Sequence, residues 1–214
     1  MKKHFTLLIS SIFFMLFTAC ASNQIIEQER SETFIADINS FEVGKFHLYT
    51  TLGLGRAKIT DFYVSFAPRT NYILLKARIG IDAVEVGFSY PERQSLNMAR
   101  ETYILAYESD SIPNVKANKK NAISKGQATV AWGSLGLTHK VTTTYFTNYY
   151  YLEPKKPYFR IKFDQAEEKE GDKVNSPALS IYISPSQWEK ILEACNQEHL
   201  VELTDEILAE AEEF

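Results

Sequence analysis

The sequence predicts an α+β fold: a large antiparallel β-sheet, curved or sandwich-like, with one central helix and two C-terminal helices packed on it. Three observations carry this reading. Between residues 41 and 183 most segments alternate apolar and polar side chains with the two-residue period of a half-buried strand. One stretch, 91–107, breaks that period and repeats at helical spacing. From Ser184 onward, helix-start signals replace the alternation.

The elements follow in order. "FEVGKFHLYTT" (41–51) and "KITDFYVSF" (58–66) read as a strand pair joined by a turn around Gly53 and Gly55. In "YILLKARIG", Ile73, Leu75, Ala77 and Ile79 share one face, and Lys76 and Arg78 take the other. In "AVEVGFSY", Val84, Val86 and Phe88 alternate with Glu85 and Ser89, and the short gap at Gly80 and Asp82 predicts a hairpin. Pro91 suits a first helical turn, where its missing N–H costs nothing. Leu96, Ala99, Tyr103, Ala106 and Tyr107 then form a helical stripe, widened by Met98 and Thr102, with Glu92, Arg93, Asn97 and Glu101 off it. Residues 109–127 read as a polar loop carrying Lys116, Lys119, Lys120 and Lys125.

Strands resume with "ATVAWGS", where Ala128, Val130 and Trp132 fall together. "HKVTTTYFTNYYYLEPKKPYFRIKF" reads as a long hairpin turning at "EPKKP", with Phe159, Ile161 and Phe163 on one face of its second arm. A charged connection, 164–177, leads to a last strand with Leu179, Ile181 and Ile183 aligned. Ser184, Pro185 and Gln187 supply an N-cap, a first-turn proline and the third residue of a capping box. Trp188, Ile191, Leu192 and Cys195 form one narrow stripe of the helix that follows. Thr204, Asp205 and Glu206 predict the start of a second short helix, since acidic side chains suit the positive helix end.

The N-terminus gives an address. Lys2 and Lys3 precede Phe5 to Ala19, fifteen residues without charge, and a polar segment follows. That is the layout of a secretory signal peptide, and it is shorter than the roughly 20 apolar residues a membrane-crossing helix needs. Its end, "FTAC", resembles the lipobox of bacterial lipoprotein precursors, with Thr18 and Ala19 before Cys20; Phe17 stands where that family prefers leucine, and Leu16 lies one place early. The resemblance implies that a diacylglyceryl group is joined to the Cys20 thiol, that the signal is cut before it, and that the new amino terminus receives a fatty acyl chain such as palmitate. It also implies a membrane partner through that lipid. Ala21 in place of aspartate points to the outer membrane where the host is Gram-negative, at its periplasmic or surface face. The chain thus divides into a signal peptide (1–19), a lipidated tether (20–32) and a single α+β domain (33–214). Twelve tether residues would reach up to ~40 Å.

Composition narrows the function. Without Lys2 and Lys3, 21 basic residues stand against 27 acidic ones, a formal charge of −6. Nucleic acid needs a basic face, so it is excluded as a partner. With Cys20 lipidated, Cys195 is the one remaining cysteine and no internal disulfide can form. Beside Trp188 and Leu192 it reads as a buried structural thiol. Catalytic and cofactor patterns do not emerge. The glycines of "LGLG" (52–55) have Lys58 where a dinucleotide fingerprint needs its third glycine. His47, His139 and His199 are far apart and lack metal-ligand spacing, and the acidic cluster at 164–172 lacks the alternation of a calcium loop. No serine sits in a Gly-x-Ser-x-Gly elbow. No cofactor, metal or catalytic residue is therefore assigned.

Two exposed features remain as a candidate binding surface. One is the lysine loop with Lys116, Lys119 and Lys120, suited to anionic lipid, an acidic polymer or an envelope protein. The other is the tyrosine-rich hairpin, with Tyr145, Tyr149 and Tyr151 on one face, joined by Tyr158 and Arg160. Tyrosine and arginine give large contact area with a polar tip. The expectation is a lipid-anchored envelope protein that acts by binding. Its alternatives are an envelope hydrolase with a site no motif reveals, and a structural or assembly factor of an envelope complex.

Overall fold

The structure is a computed structural model that describes residues 29–53, 55–134, 136–154, 156–168 and 173–212. The signal peptide and Cys20 lie outside the described residues. Among those residues eight strands run in chain order: β1 (Phe41–Leu52), β2 (Lys58–Ala67), β3 (Tyr72–Ile79), β4 (Asp82–Phe88), β5 (Lys125–Gly133), β6 (His139–Glu153), β7 (Lys156–Phe163) and β8 (Leu179–Ile183). Each pairs antiparallel with the next, and β8 returns to β1, closing a barrel. Three α-helices accompany them: α1 (Tyr90–Glu108) between β4 and β5, then α2 (Pro185–Ala194) and α3 (Gln197–Glu212) after β8; a short 3-10 turn, Lys119–Asn121, lies between α1 and β5.

The barrel corrects the open, curved or sandwich-like sheet expected from the sequence. Every strand was legible, because one side-chain row of each faces an apolar interior. Closure depends on a single seam, Tyr49 to Leu52 against Tyr182 to Leu179, that joins segments far apart in the chain. Period-two alternation says which face is buried. It does not say whether the edges meet.

The inward rows are those the alternation gave. Val64, Leu75, Val86, Val130 and Val141 stand in register across β2 to β6, and Ile161 faces Ile181 across β7 and β8. Phe62, Phe159, Ile181 and Tyr145 are fully enclosed. The outward rows carry charge in mid-strand, at Lys45, Asp61, Lys76, Glu85 and Arg160. A membrane-spanning barrel wants an outward apolar band, so this one is the reverse arrangement, a barrel with a dry inside and a polar outside. Among the described residues no helix is long and apolar enough to cross a membrane.

Because the strands alternate in direction, the β2–β3 turn, the β4–β5 connection, the β6–β7 turn and everything after β8 lie at one end. All three helices cap this end. At the opposite end the two-residue β3–β4 turn places Gly80 at a φ of 71°, a conformation open to glycine.

α1 buries Leu96, Ala99 and Tyr103 from the expected stripe, while Met98 and Tyr107 point to solvent. Its first turn is tied down by Glu92, which accepts from the Gln127 N–H (3.0 Å) and the Tyr145 hydroxyl (2.7 Å). A Cβ on Gly126 would fall against the Glu92 carboxylate and the Tyr145 hydroxyl, so the start of β5 needs glycine for this approach. At its far end the Tyr103 hydroxyl donates to the Pro157 carbonyl (3.0 Å).

α2 begins where Pro185 and Gln187 predicted. Gln187 accepts from the Ser184 N–H (2.8 Å) and donates to the His47 carbonyl (2.5 Å), pinning the helix to β1. α3 starts at Gln197, seven residues before the expected Thr204 start. The Asn196 side chain caps it, accepting from the N–H groups of Glu198 (2.8 Å) and His199 (3.3 Å). Thr204 is buried in mid-helix, its hydroxyl turned back to the Leu200 carbonyl at 2.7 Å.

Candidate functional site

β1 pairs with β8 over four residues only, so its first half leaves the barrel wall and pairs with β2 alone. α2 fills part of the gap that this leaves. The rest is a half-open cavity of about 560 Å³ between the barrel end, α1 and α2. That lies within the roughly 300–1,000 Å³ of small-molecule sites. Its walls are apolar: Leu48, Leu75 and Ile183 come from the barrel, Leu96 from α1, and Trp188, Ile191 and Leu192 from the stripe of α2.

The polar groups on this lining are unusual. Among the described residues six buried side-chain polar atoms have no hydrogen-bond partner. Four of them, Arg93 Nε, Asn97 Oδ1, Arg100 Nε and Trp188 Nε1, belong to residues lining this cavity. Buried polar atoms are normally paired, so a cluster of orphans needs a reason. Arg93, Asn97 and Arg100 lie one helical turn apart each and form a row on α1. All three hydrogen bonds of Arg93 leave from Nη2, to the Asn71 carbonyl (3.2 Å), the Asn71 side-chain oxygen (2.6 Å) and Gln197 Oε1 (2.9 Å). Each acceptor is neutral. The guanidinium also lies near the rings of Tyr90 and Phe66. Burial pulls Arg93 down to about 10, which leaves it charged at neutral pH. Arg100, with 20% of its side chain exposed, has one long contact of 3.5 Å, to Glu101.

Cys195 closes the α2 side of the cavity. Burial pushes its thiol up to about 12, against the pull of Arg93. It is therefore protonated at neutral pH and inert as a nucleophile. The lining thus offers shape, apolar contact and positive charge, with no activated nucleophile. Among the described residues no group of three histidine, cysteine or acidic side chains is placed to hold a metal. His47 pairs with Asp61 (2.6 Å) and His139 with Glu168 (2.9 Å), at separate places.

The sequence-predicted surface is divided by the barrel. Tyr145 belongs to the interior: it is fully buried, and burial followed by its hydrogen bond to Glu92 raises its phenol above the ordinary range. It was grouped with Tyr149 and Tyr151 because all three share a face, and that face is the inward one. Tyr149 is half-buried against Tyr103, and Tyr151 passes the barrel rim and is exposed. Tyr158, on the outer face, meets Tyr49 edge-on. Arg160, also outward, is 7% exposed because the lysine loop covers it. Its Nη2 donates to Asn148 (3.1 Å) and reaches the Ala117 carbonyl (3.5 Å), and its guanidinium stacks on Tyr150 at 4.6 Å. Lys119 is brought close, paired with Asp164 (2.7 Å) and lying over the Phe146 ring with Arg160 and Lys162. Lys116 and Lys120 are exposed on the same loop. Cys20 lies outside the described residues.

Sequence reasoning missed the cavity row. Arg93 and Asn97 were noted only as lying off the apolar stripe of α1. Their signal was the spacing of 93, 97 and 100, which puts two cations and an amide directly beside that stripe.

The comparisons with known proteins agree on kinship. A family described as "Uncharacterised Treponema protein" matches residues 13–202. A relative from Treponema pallidum (strain Nichols), described as "Uncharacterized protein", is 26% identical over 174 residues, which is 81% of this chain and 63% of the relative. The chain therefore spans less than two thirds of that relative's length. No solved structure matches. With the family covering well over half of its residues, the chain belongs to this Treponema protein family.

Proposed function

We propose that this protein is a lipid-anchored envelope protein that binds a small apolar or amphiphilic molecule in the cavity between α1, α2 and the barrel. The observation that carries the binding reading is the cavity itself: apolar walls enclosing four of the six orphaned buried polar atoms. Sites of this kind combine an apolar body with a few placed polar groups. An apolar lining of this kind suits a ligand that is held and released unchanged.

The anchor rests on the lipobox resemblance at Cys20, with the outer membrane as its destination in a Gram-negative host. Among the described residues, Arg30 pairs with Asp205 of α3, and the Glu32 carbonyl accepts from Asn71 (2.9 Å). Both lie at the helical end, so a tether from Cys20 would hold the cavity end toward the bilayer.

Two measurements test these parts separately. A photoreactive sixteen-carbon chain delivered from neutral vesicles should label the peptides of α1 and α2, and Leu192→Trp, which fills the cavity, should abolish it. Labelling spread evenly over the surface refutes the binding reading. For the anchor, Cys20→Ser should move the protein from the membrane to the soluble fraction; continued sedimentation with membranes refutes it.

A second reading has its own observation. Arg160, Lys119 and Lys162 converge on Phe146, beside exposed Lys116 and Lys120. This basic outer face suits an acidic polymer or an acidic envelope protein. Replacing Lys116, Lys119 and Lys120 by glutamine should weaken capture of a polyanion and its salt dependence together; unchanged capture removes this reading.

A further inference from the structure

We propose that the cavity's ligand is a single-chain amphiphile with a carboxylate head, its head held by the Arg93–Arg100 row of α1 and its chain laid along the apolar wall toward Leu75 and Ile183. The inference rests on the cavity reading above and adds the chemistry of the occupant.

Three observations point there. First, the cavity has two ends of different character: an apolar floor inside the barrel and two arginines with Asn97 along one side. An apolar ligand alone would leave those polar atoms orphaned, which is costly for buried groups. A ligand with an anionic head gives the two Nε–H groups acceptors.

Second, the charge of Arg93 has no carboxylate partner among the described residues, while Arg100 has only the long contact to Glu101. Arg93 is bonded to neutral oxygens only. A withdrawn guanidinium without a counter-charge is costly, and a planar carboxylate matches its fork. Glu198, the carboxylate on the lining, is exposed and accepts none of the Arg93 hydrogen bonds.

Third, the source is close. Glu32, Asn71, Arg93 and Gln197 form one chain of hydrogen bonds from the N-terminal segment to the cavity. If Cys20 is the anchor, nine residues separate it from Arg30, a reach of about 30 Å at full extension. The cavity mouth then faces a membrane leaflet, where single-chain carboxylates partition.

The test uses the full chain in phosphatidylcholine vesicles and two photoreactive probes, a sixteen-carbon fatty acid and the alcohol of the same chain. The acid should label the peptides of α1 and α2 about tenfold more strongly than the alcohol, the size expected of one charge-assisted hydrogen bond. Arg93→Gln with Arg100→Gln should erase that preference, so that acid and alcohol label the variant equally. The comparison of acid with alcohol in the unaltered protein needs no variant, so a misfolded double variant would not rescue the proposal. Equal labelling by both probes overturns the carboxylate head and leaves the cavity reading standing. Labelling by neither, in the unaltered chain and in Cys20→Ser alike, overturns the cavity reading itself. Labelling that appears only after Cys20→Ser means that the protein's own acyl chain fills the cavity, which overturns a free ligand.

Discussion

Arg93 and Arg160 are both withdrawn from solvent, and among the described residues neither pairs with a carboxylate, yet the two are solved differently. Arg160 lies on the outer wall, sandwiched by Tyr150 and Phe146 and roofed by the lysine loop, with Asn148 and the Ala117 carbonyl as acceptors. Ring faces and carbonyl dipoles take the place of a counter-ion. Arg93 likewise engages a single nitrogen, Nη2, and lies near two rings, but it borders a cavity, whereas Arg160 is roofed by a loop. Burial lowers the pKa of both. One arginine closes a structure and the other leaves one open. That difference, rather than burial, separates a structural cation from a candidate binding group.

The contrast can be broken at several points, in order of expected effect. Phe159→Ala removes a fully buried ring that meets both Tyr103 and Trp188 edge-on, directly beneath the helical cap. It should cost about 3–5 kcal/mol in urea unfolding and loosen the cavity as well. A loss below 1 kcal/mol would mean the cap does not depend on the barrel interior.

Next come the arginines themselves. Arg160→Met discards the stacking on Tyr150 and leaves the Asn148 oxygen buried without its donor, so a loss of about 2–3 kcal/mol is expected. Arg93→Met also loses hydrogen bonds, but it relieves an uncompensated charge, and the net loss should be about 1 kcal/mol or less. If Arg93→Met proves the more damaging, the contrast drawn above is wrong.

Asn196→Ala should cost about 1 kcal/mol through loss of the α3 cap, and it should loosen Gln197, a partner of Arg93. Thermal unfolding with and without a long-chain carboxylate would show both effects.

The smallest effect belongs to the loop end. Glu168 is held below the usual carboxylate range, first by His139 and then by the Lys140 N–H. A depressed carboxylate stabilises the fold above its unfolded value, about 4.3, and that support is lost as pH falls through the folded value. The protection of the Lys140 amide, measured against its intrinsic exchange rate, should therefore fall as acid protonates Glu168, with the Arg93 end unaffected. Protection that stays flat through this titration would detach Glu168 from the loop's stability.

Much of this was legible in the sequence, and the gaps have physical causes. Strand faces such as Ile73-Leu75-Ala77 and Phe159-Ile161-Phe163 were plain because burial on one side imposes a period of two. Pro185 and Gln187 marked α2 because a cap is a local device. Barrel closure was hidden because it depends on Tyr49 meeting Tyr182, a non-local pairing. The start of α3 was misplaced because Asn196 and Thr204 are both good caps, and packing of Leu200 decides between them. The tyrosine face was chosen on the inward side because alternation cannot tell inside from outside when both rows are aromatic. The cavity was out of reach, since it is made by residues from the barrel, α1 and α2 together.

The brevity of the β1–β8 seam has a consequence for how the chain reaches this state. β1 is synthesised first and β8 last of the strands, and the Thr51–Tyr182 hydrogen bond spans 131 residues. Closing so long a loop is entropically slow, so the meander from β1 to β7 must assemble before its outer margins can zip. Until then β1 offers a bare strand margin, which in a crowded compartment invites pairing with another copy. A helper that shields this margin during maturation would raise the yield of native protein more than one acting on any later step.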